Sequence, residues 1–141
     1  IKYSDIPNFP VSTVPGHSGE LLMGTIEVNT NEVKVVMMSG RFHYYEGYAM
    51  QTLVLPIRVM AALKVPAVLL TNACGGISSR MHTGDIMMIE DHIAMPCLSG
   101  ITPLRGPNII GDRFPPMTHL WDTSCIAQLS ENHAIKRGVY C

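Results

Sequence analysis

Charge is scarce in this sequence. Asp, Glu, Lys and Arg make up 15% of its 141 residues, ten cations nearly balance eleven anions, and no basic block or stripe stands out. Binding to a nucleic-acid polymer rests on clustered positive charge that displaces counterions, so no such partner is expected. Long apolar runs are also missing. The longest fall far short of the ~18 residues a membrane helix needs, and the opening IKYSDIPNF lacks the charged-then-apolar pattern of a signal peptide. Cysteine is sparse: Cys74, Cys97, Cys125 and Cys141 lie far apart with no C-x-x-C pair, which excludes a zinc ribbon or a dithiol redox motif. The six histidines show no metal-ligand spacing, so no metal is assigned. These absences leave a non-membrane chain with free thiols, expected in the cytoplasm.

What is present is apolar content: 47% of residues, enough for one domain over 1–141 with a sizeable core. The chain begins without Met and stops at Cys141 just after GVY, a short apolar stretch of the kind that begins a strand, so a partial domain, incomplete at both ends, is expected. Leu21 to Met38 reads as two strands around the turn-rich Asn29-Thr30-Asn31-Glu32, a β-hairpin. Thr52 to Lys64 carries apolar residues on helical spacing, with Pro56 suited to a first turn or a kink. Ala67 to Leu70 has the look of a strand buried on both faces, and Asp85 to Glu90 follows the Thr83-Gly84 turn as another. Pro96 to Pro116 is a long Pro- and Gly-rich loop of the kind kept for function, and Ser124 to Lys136 suits one helix. The fold class is α/β, with a mixed central sheet flanked by helices.

Chemistry concentrates in GRFHYYEGY, residues 40–48, directly behind VKVVMM. In extended chain, Arg41, His43 and Tyr45 share one face while Phe42 and Tyr44 take the other. A guanidinium fork matches two oxygens of a phosphate or carboxylate, an imidazole adds a donor, and a tyrosine offers a ring and hydroxyl to a sugar. The bland alternative is that Arg41 pairs with Glu46, His43 is a satisfied surface histidine and the tyrosines pack. A second constellation, Thr71-Asn72-Ala73-Cys74-Gly75-Gly76, follows the expected strand at 67–70, where open α/β sheets bind ligands and small residues let an anion approach; a tight turn needs the same glycines. Cys74 reads as a small apolar filler rather than a nucleophile. His17, on the glycine-flanked turn PGHSG, either reaches a ligand or is merely solvated. Phe114, in RFPP, either covers its own loop or projects onto a neighbour.

Taken in order, IPNFPVSTVPGHSG, GRFHYYEGY, TNACGG, GDIMMIEDHI, PLRGPN and GDRFPPM resemble the purine nucleoside phosphorylases of the trimeric type, from about Tyr3 to Asp122. Related methylthioadenosine phosphorylases share the architecture but usually lack the asparagine at Asn72. The resemblance implies a nucleoside phosphorylase-like fold and phosphorolysis of purine (deoxy)ribonucleosides to free base and (deoxy)ribose 1-phosphate. It implies phosphate contacts from Arg41, His43, His17 and the Ala73 N–H, with Asn72 in the same motif. It further implies that Tyr45 contacts ribose, that Phe114 reaches a neighbouring subunit's pocket, and that the assembly is a homotrimer without metal or organic cofactor. Phosphate itself attacks the anomeric carbon, so no protein nucleophile is assigned.

The family pattern also carries a glycine-serine phosphate loop upstream of these motifs and base-reading glutamate and asparagine downstream, which this chain does not contain. Cys74, Cys97, Thr102 and Trp121 depart from the pattern. Two other readings therefore stand: a non-catalytic relative that keeps a phosphate cradle or subunit contact as a binding or assembly module, and a methylthioadenosine phosphorylase-like enzyme.

Overall fold

The computed structural model describes residues 1–107, 110–133 and 135–141, and the chain divides into two compact units, Ile1–Val68 and Leu69–Cys141. In the first unit, strands β1 (Glu20–Val28) and β2 (Asn31–Ser39) pair antiparallel in unbroken register from Glu20 opposite Ser39 to Val28 opposite Asn31. The turn is only Asn29-Thr30, both with positive φ (46° and 72°), which matches the twist of a two-residue hairpin. The expected hairpin is present, with its turn two residues tighter. Two short helices follow, α1 (Met50–Leu53) and α2 (Leu55–Ala62), and Pro56 sits in the first turn of α2, where its missing N–H costs nothing.

The core of this unit is aromatic. Tyr3 is fully buried and Phe42 nearly so, and their rings meet Phe9 at centroid distances of 5.0 and 5.7 Å, with Tyr48 against Phe42 at 6.0 Å. The Tyr3 hydroxyl donates to the Gly40 carbonyl at 2.7 Å, and the Gly19 N–H donates to the Ser39 carbonyl at 2.9 Å. Those bonds hold the residues after β2 against the N-terminal segment.

The second unit pairs β3 (Met87–His92) in parallel with β4 (Lys136–Tyr140), a shift in register falling between Ile89 and Asp91. Between them run a short α3 (Met95–Leu98) and α4 (Thr123–His133). Helix α4 starts where expected because Asp122 caps it: its Oδ1 accepts the N–H groups of Ser124 (3.1 Å) and Cys125 (3.0 Å) and the Ser124 hydroxyl (2.7 Å). Those donors, the Cys125 amide foremost, hold the Asp122 carboxyl below its usual range. GVY does enter a strand, as residues 138–140 of β4.

Strand β3 begins two residues later than its expected start. The carboxylate of Asp85 accepts the His82 N–H at 2.6 Å and pairs with Lys136, which keeps Asp85 in the turn. The strand expected at Ala67–Leu70 is not formed: these residues join no ladder, and Leu69 is 84% exposed. A strand meant for burial on both faces needs flanking strands, and each sheet among the described residues has two strands. TNACGG therefore follows irregular chain rather than a strand end, and Cys74 is exposed instead of filling a core. In the 96–116 loop, Arg113 Nη1 donates to the carbonyls of Gly106 (2.6 Å) and Leu104 (3.3 Å). Asn108, the last residue of PLRGPN, lies outside the described residues, as do Ile109 and Ala134. With antiparallel and parallel pairing beside helices, the fold is mixed α/β as expected.

Candidate active site

The hairpin ends at Ser39 and the chain turns at Gly40, whose φ is +95°. A Cβ there would stand 2.7 Å from the Cβ of His17, so glycine is required twice, by conformation and by the approach of the His17 turn. Arg41 and Phe42 follow outside the ladder, and His43 is extended (φ −125°, ψ 159°). The chain then tightens into a single 3-10 turn, Tyr44–Glu46, closed by Gly47 at φ +92°.

This turn changes how the site is assembled. Strict alternation holds as far as His43, with Phe42 buried on the other side, but Tyr45 does not reach the cluster through extended chain. Its ring stacks instead on the His43 imidazole, centroids 4.7 Å apart and planes within 12°. Arg41 Nε donates to His43 Nε2 at 3.1 Å. His17 completes the group, its ring 5.2 Å from that of His43 and its Nδ1 2.6 Å from the Arg41 carbonyl. One guanidinium, two imidazoles and a phenol thus converge in the first unit.

Glu46 organises them, and the sequence reading considered it only as a partner for Arg41. Its Oε1 accepts the His43 backbone N–H at 2.6 Å and lies 2.8 Å from His43 Nδ1. Its Oε2 accepts the Thr13 N–H at 2.7 Å, the Thr13 hydroxyl at 2.9 Å and the Ser12 hydroxyl at 3.3 Å. Only 2% of this side chain is exposed. The Thr13 amide above all, followed by the His43 ring, the Thr13 hydroxyl and the His43 amide, lowers the Glu46 carboxyl to about 2, against the opposing effect of desolvation. Both carboxylate oxygens are thus taken up with donors of the protein itself. The available signal was the spacing His43-x-x-Glu46, in which a carboxylate three residues on returns to the N-cap amide. Tyr48 also went unassigned; its hydroxyl accepts the Val11 N–H (3.2 Å) and donates to the Val11 carbonyl (2.6 Å), fixing the strap that carries Ser12 and Thr13.

Asn72, Ala73 and Phe114 belong to the second unit and are described within it. Asn72 Nδ2 donates weakly to the Ala73 carbonyl at 3.4 Å, and Phe114 is 87% exposed on its proline-stiffened loop. Among the described residues no group of three or more His, Cys, Asp or Glu is arranged to hold a metal ion, and no helix is long and apolar enough to cross a membrane.

A donor-rich cluster behind a hairpin, with its one carboxylate already satisfied, suits a tetrahedral oxyanion. In comparison with known proteins, the phosphorylase superfamily matches residues 2–141. The chain belongs to the phosphorylase superfamily. Among members, it is 47% identical to purine nucleoside phosphorylase 1 of Bacillus subtilis, with 99% of this chain and 52% of that protein aligned. It is 45% identical to the purine nucleoside phosphorylase of Bos taurus, over 98% of this chain and 50% of that one. The crystal structure of the Schistosoma mansoni purine nucleoside phosphorylase in complex with inosine superimposes with a TM-score of 0.84 at 39% identity, covering 99% of this chain and 51% of that one. The superfamily likeness therefore runs past Asp122 to the last residue. The chain spans about half the length of the curated relatives it matches.

Proposed function

We propose that the protein containing this chain is a purine nucleoside phosphorylase and that this part supplies the phosphate side of its site. The observation that carries the reading is the convergence of Arg41, His43 and His17 around a Glu46 already saturated with donors. Phosphate is the nucleophile of such a reaction. It attacks the anomeric carbon of the nucleoside while the purine leaves, so the protein contributes orientation and charge rather than a covalent intermediate. In this role Arg41 offers its planar fork to two phosphate oxygens, His43 and His17 add donors, and Tyr45, stacked on His43, presents its hydroxyl to the ribose. In the second unit the Ala73 N–H, with Asn72 beside it, offers a donor to an anion. Phe114 enters the nucleoside pocket of a neighbouring copy in a homotrimer. No metal or organic cofactor takes part, and the four exposed thiols suit a reducing cytoplasm.

The test is phosphorolysis of inosine. Hypoxanthine release that requires phosphate and yields ribose 1-phosphate is the expected result; release that proceeds equally in its absence contradicts the reading. The half-length coverage of the relatives favours one second reading, a module that binds phosphate without releasing base. Saturable phosphate binding with no hypoxanthine formed identifies it.

A further inference from the structure

The hydrogen bonds around His43 fix its protonation. A guanidinium nitrogen can only donate, so the 3.1 Å contact from Arg41 Nε requires a lone pair on His43 Nε2. The other ring nitrogen, 2.8 Å from a Glu46 oxygen with no proton to give, must then carry the hydrogen. With these partners His43 is a neutral imidazole in its Nδ1–H tautomer. An anion arriving beside Arg41 would meet that lone pair, and lone pair against oxyanion is repulsive. Either His43 stays out of the anion site or Nε2 gains a proton.

Resting on the reading of this cluster as a phosphate site, we propose that anion binding is coupled to uptake of one proton at His43 Nε2. The bound state is an imidazolium held between the anion and Glu46. Four ionisable groups face this ring. Glu46, kept ionised, stabilises the cation through Nδ1–H. Tyr45, stacked at 4.7 Å, lends its ring face. Arg41 opposes the new charge until the anion lies between them. His17, 5.2 Å away, opposes it if itself protonated, and its Nδ1 is already occupied at the Arg41 backbone. Proton balance is simple: one proton leaves the solvent, the Nε2 lone pair becomes N–H, and Arg41 Nε turns from His43 to the anion.

Calorimetric titration with sulfate and with inorganic phosphate, at about pH 8 in two buffers of widely different ionisation enthalpy, reads the uptake directly. Sulfate carries no titratable proton there, so any proton consumed on its binding resides on the protein. The expected result is about one proton per bound sulfate, lost in His43→Gln. Binding heats that do not depend on the buffer overturn this inference and leave the phosphate reading intact. Uptake with phosphate but not with sulfate places the proton on the ligand and overturns it too, as does uptake that persists in His43→Gln. Failure of phosphate to bind overturns both the inference and the reading beneath it, and failure of sulfate alone overturns the inference. Should His43→Gln fold poorly, 15N spectra of the unaltered protein decide: Nε2 of His43 must change from lone-pair to N–H character on adding sulfate, and an unchanged resonance refutes the proposal.

Discussion

Glu46 accepts the backbone N–H of Thr13 at 2.7 Å, joining residues 33 positions apart, and the same carboxylate holds the amide and ring of His43. One side chain thus fixes both the strap at 12–13 and the imidazole at the centre of the cluster. Glu46→Ala should release the ring from its orientation and raise the phosphate Kd or KM on the order of tenfold or more, since a donor displaced by a fraction of an ångström loses most of its value. Glu46→Gln, which keeps an acceptor oxygen, should lose less. Phosphate titration of both variants checks the order, and equal affinity in all three proteins would refute the role.

The same clasp gives a pH dependence with a definite sign. In the unfolded chain the carboxyl titrates near its ordinary 4.5, whereas donors in the folded chain lower it to about 2. A lowered folded-state value means that the stabilisation is complete above the unfolded value and fades as pH falls, vanishing once Glu46 itself is protonated. The amide resonance of Thr13 should therefore hold its position on acidification to pH 4 and shift only toward about 2. A midpoint at the ordinary carboxylate value would show the clasp to be absent.

Gly40→Ala should be more harmful than an exposed glycine substitution. It forces an L residue to φ +95° and places a methyl 2.7 Å from the Cβ of His17. Strain of this kind costs roughly 1–3 kcal/mol before the clash is added. Denaturant unfolding measures it. The site should suffer with the fold, because the clash moves His17 away from Arg41.

Tyr3→Phe removes only an oxygen, yet it leaves the Gly40 carbonyl without its donor beneath a fully buried ring. The expected loss is about 1–3 kcal/mol. Burial also raises the ionisation of this phenol above its ordinary 10.0, so its contribution is complete below that value and lost as pH rises through the folded one. Unfolding of Tyr3→Phe and the unaltered protein in neutral and strongly alkaline buffer checks both statements.

Local signals carried much of this organisation. The hairpin followed from two apolar runs around a turn-rich stretch and Pro56 found its helix start, whereas the helix expected over 124–136 stops at His133, its cap at Asp122 was not read, and Lys136 begins β4 instead. Arg41, His43 and Tyr45 were legible as a group by period-two spacing, but the reason for their proximity was not. The return of the Glu46 carboxylate to His43 is written in the local spacing His43-x-x-Glu46, but its reach across to Thr13 joins segments that no local pattern connects. The expected strand at 67–70 shows the converse: its apolar run was read correctly, but pairing depends on neighbours that the run does not specify.

In the proposed function, Arg41 grips the phosphate that attacks the nucleoside. The most direct measurement is phosphate-dependent release of hypoxanthine from inosine by protein containing these 141 residues, with and without Arg41→Ala. Release should saturate with phosphate in the unaltered protein, and the variant should lose on the order of a hundredfold or more in kcat/KM for phosphate. An Arg41→Ala variant with unchanged phosphate dependence would contradict the account.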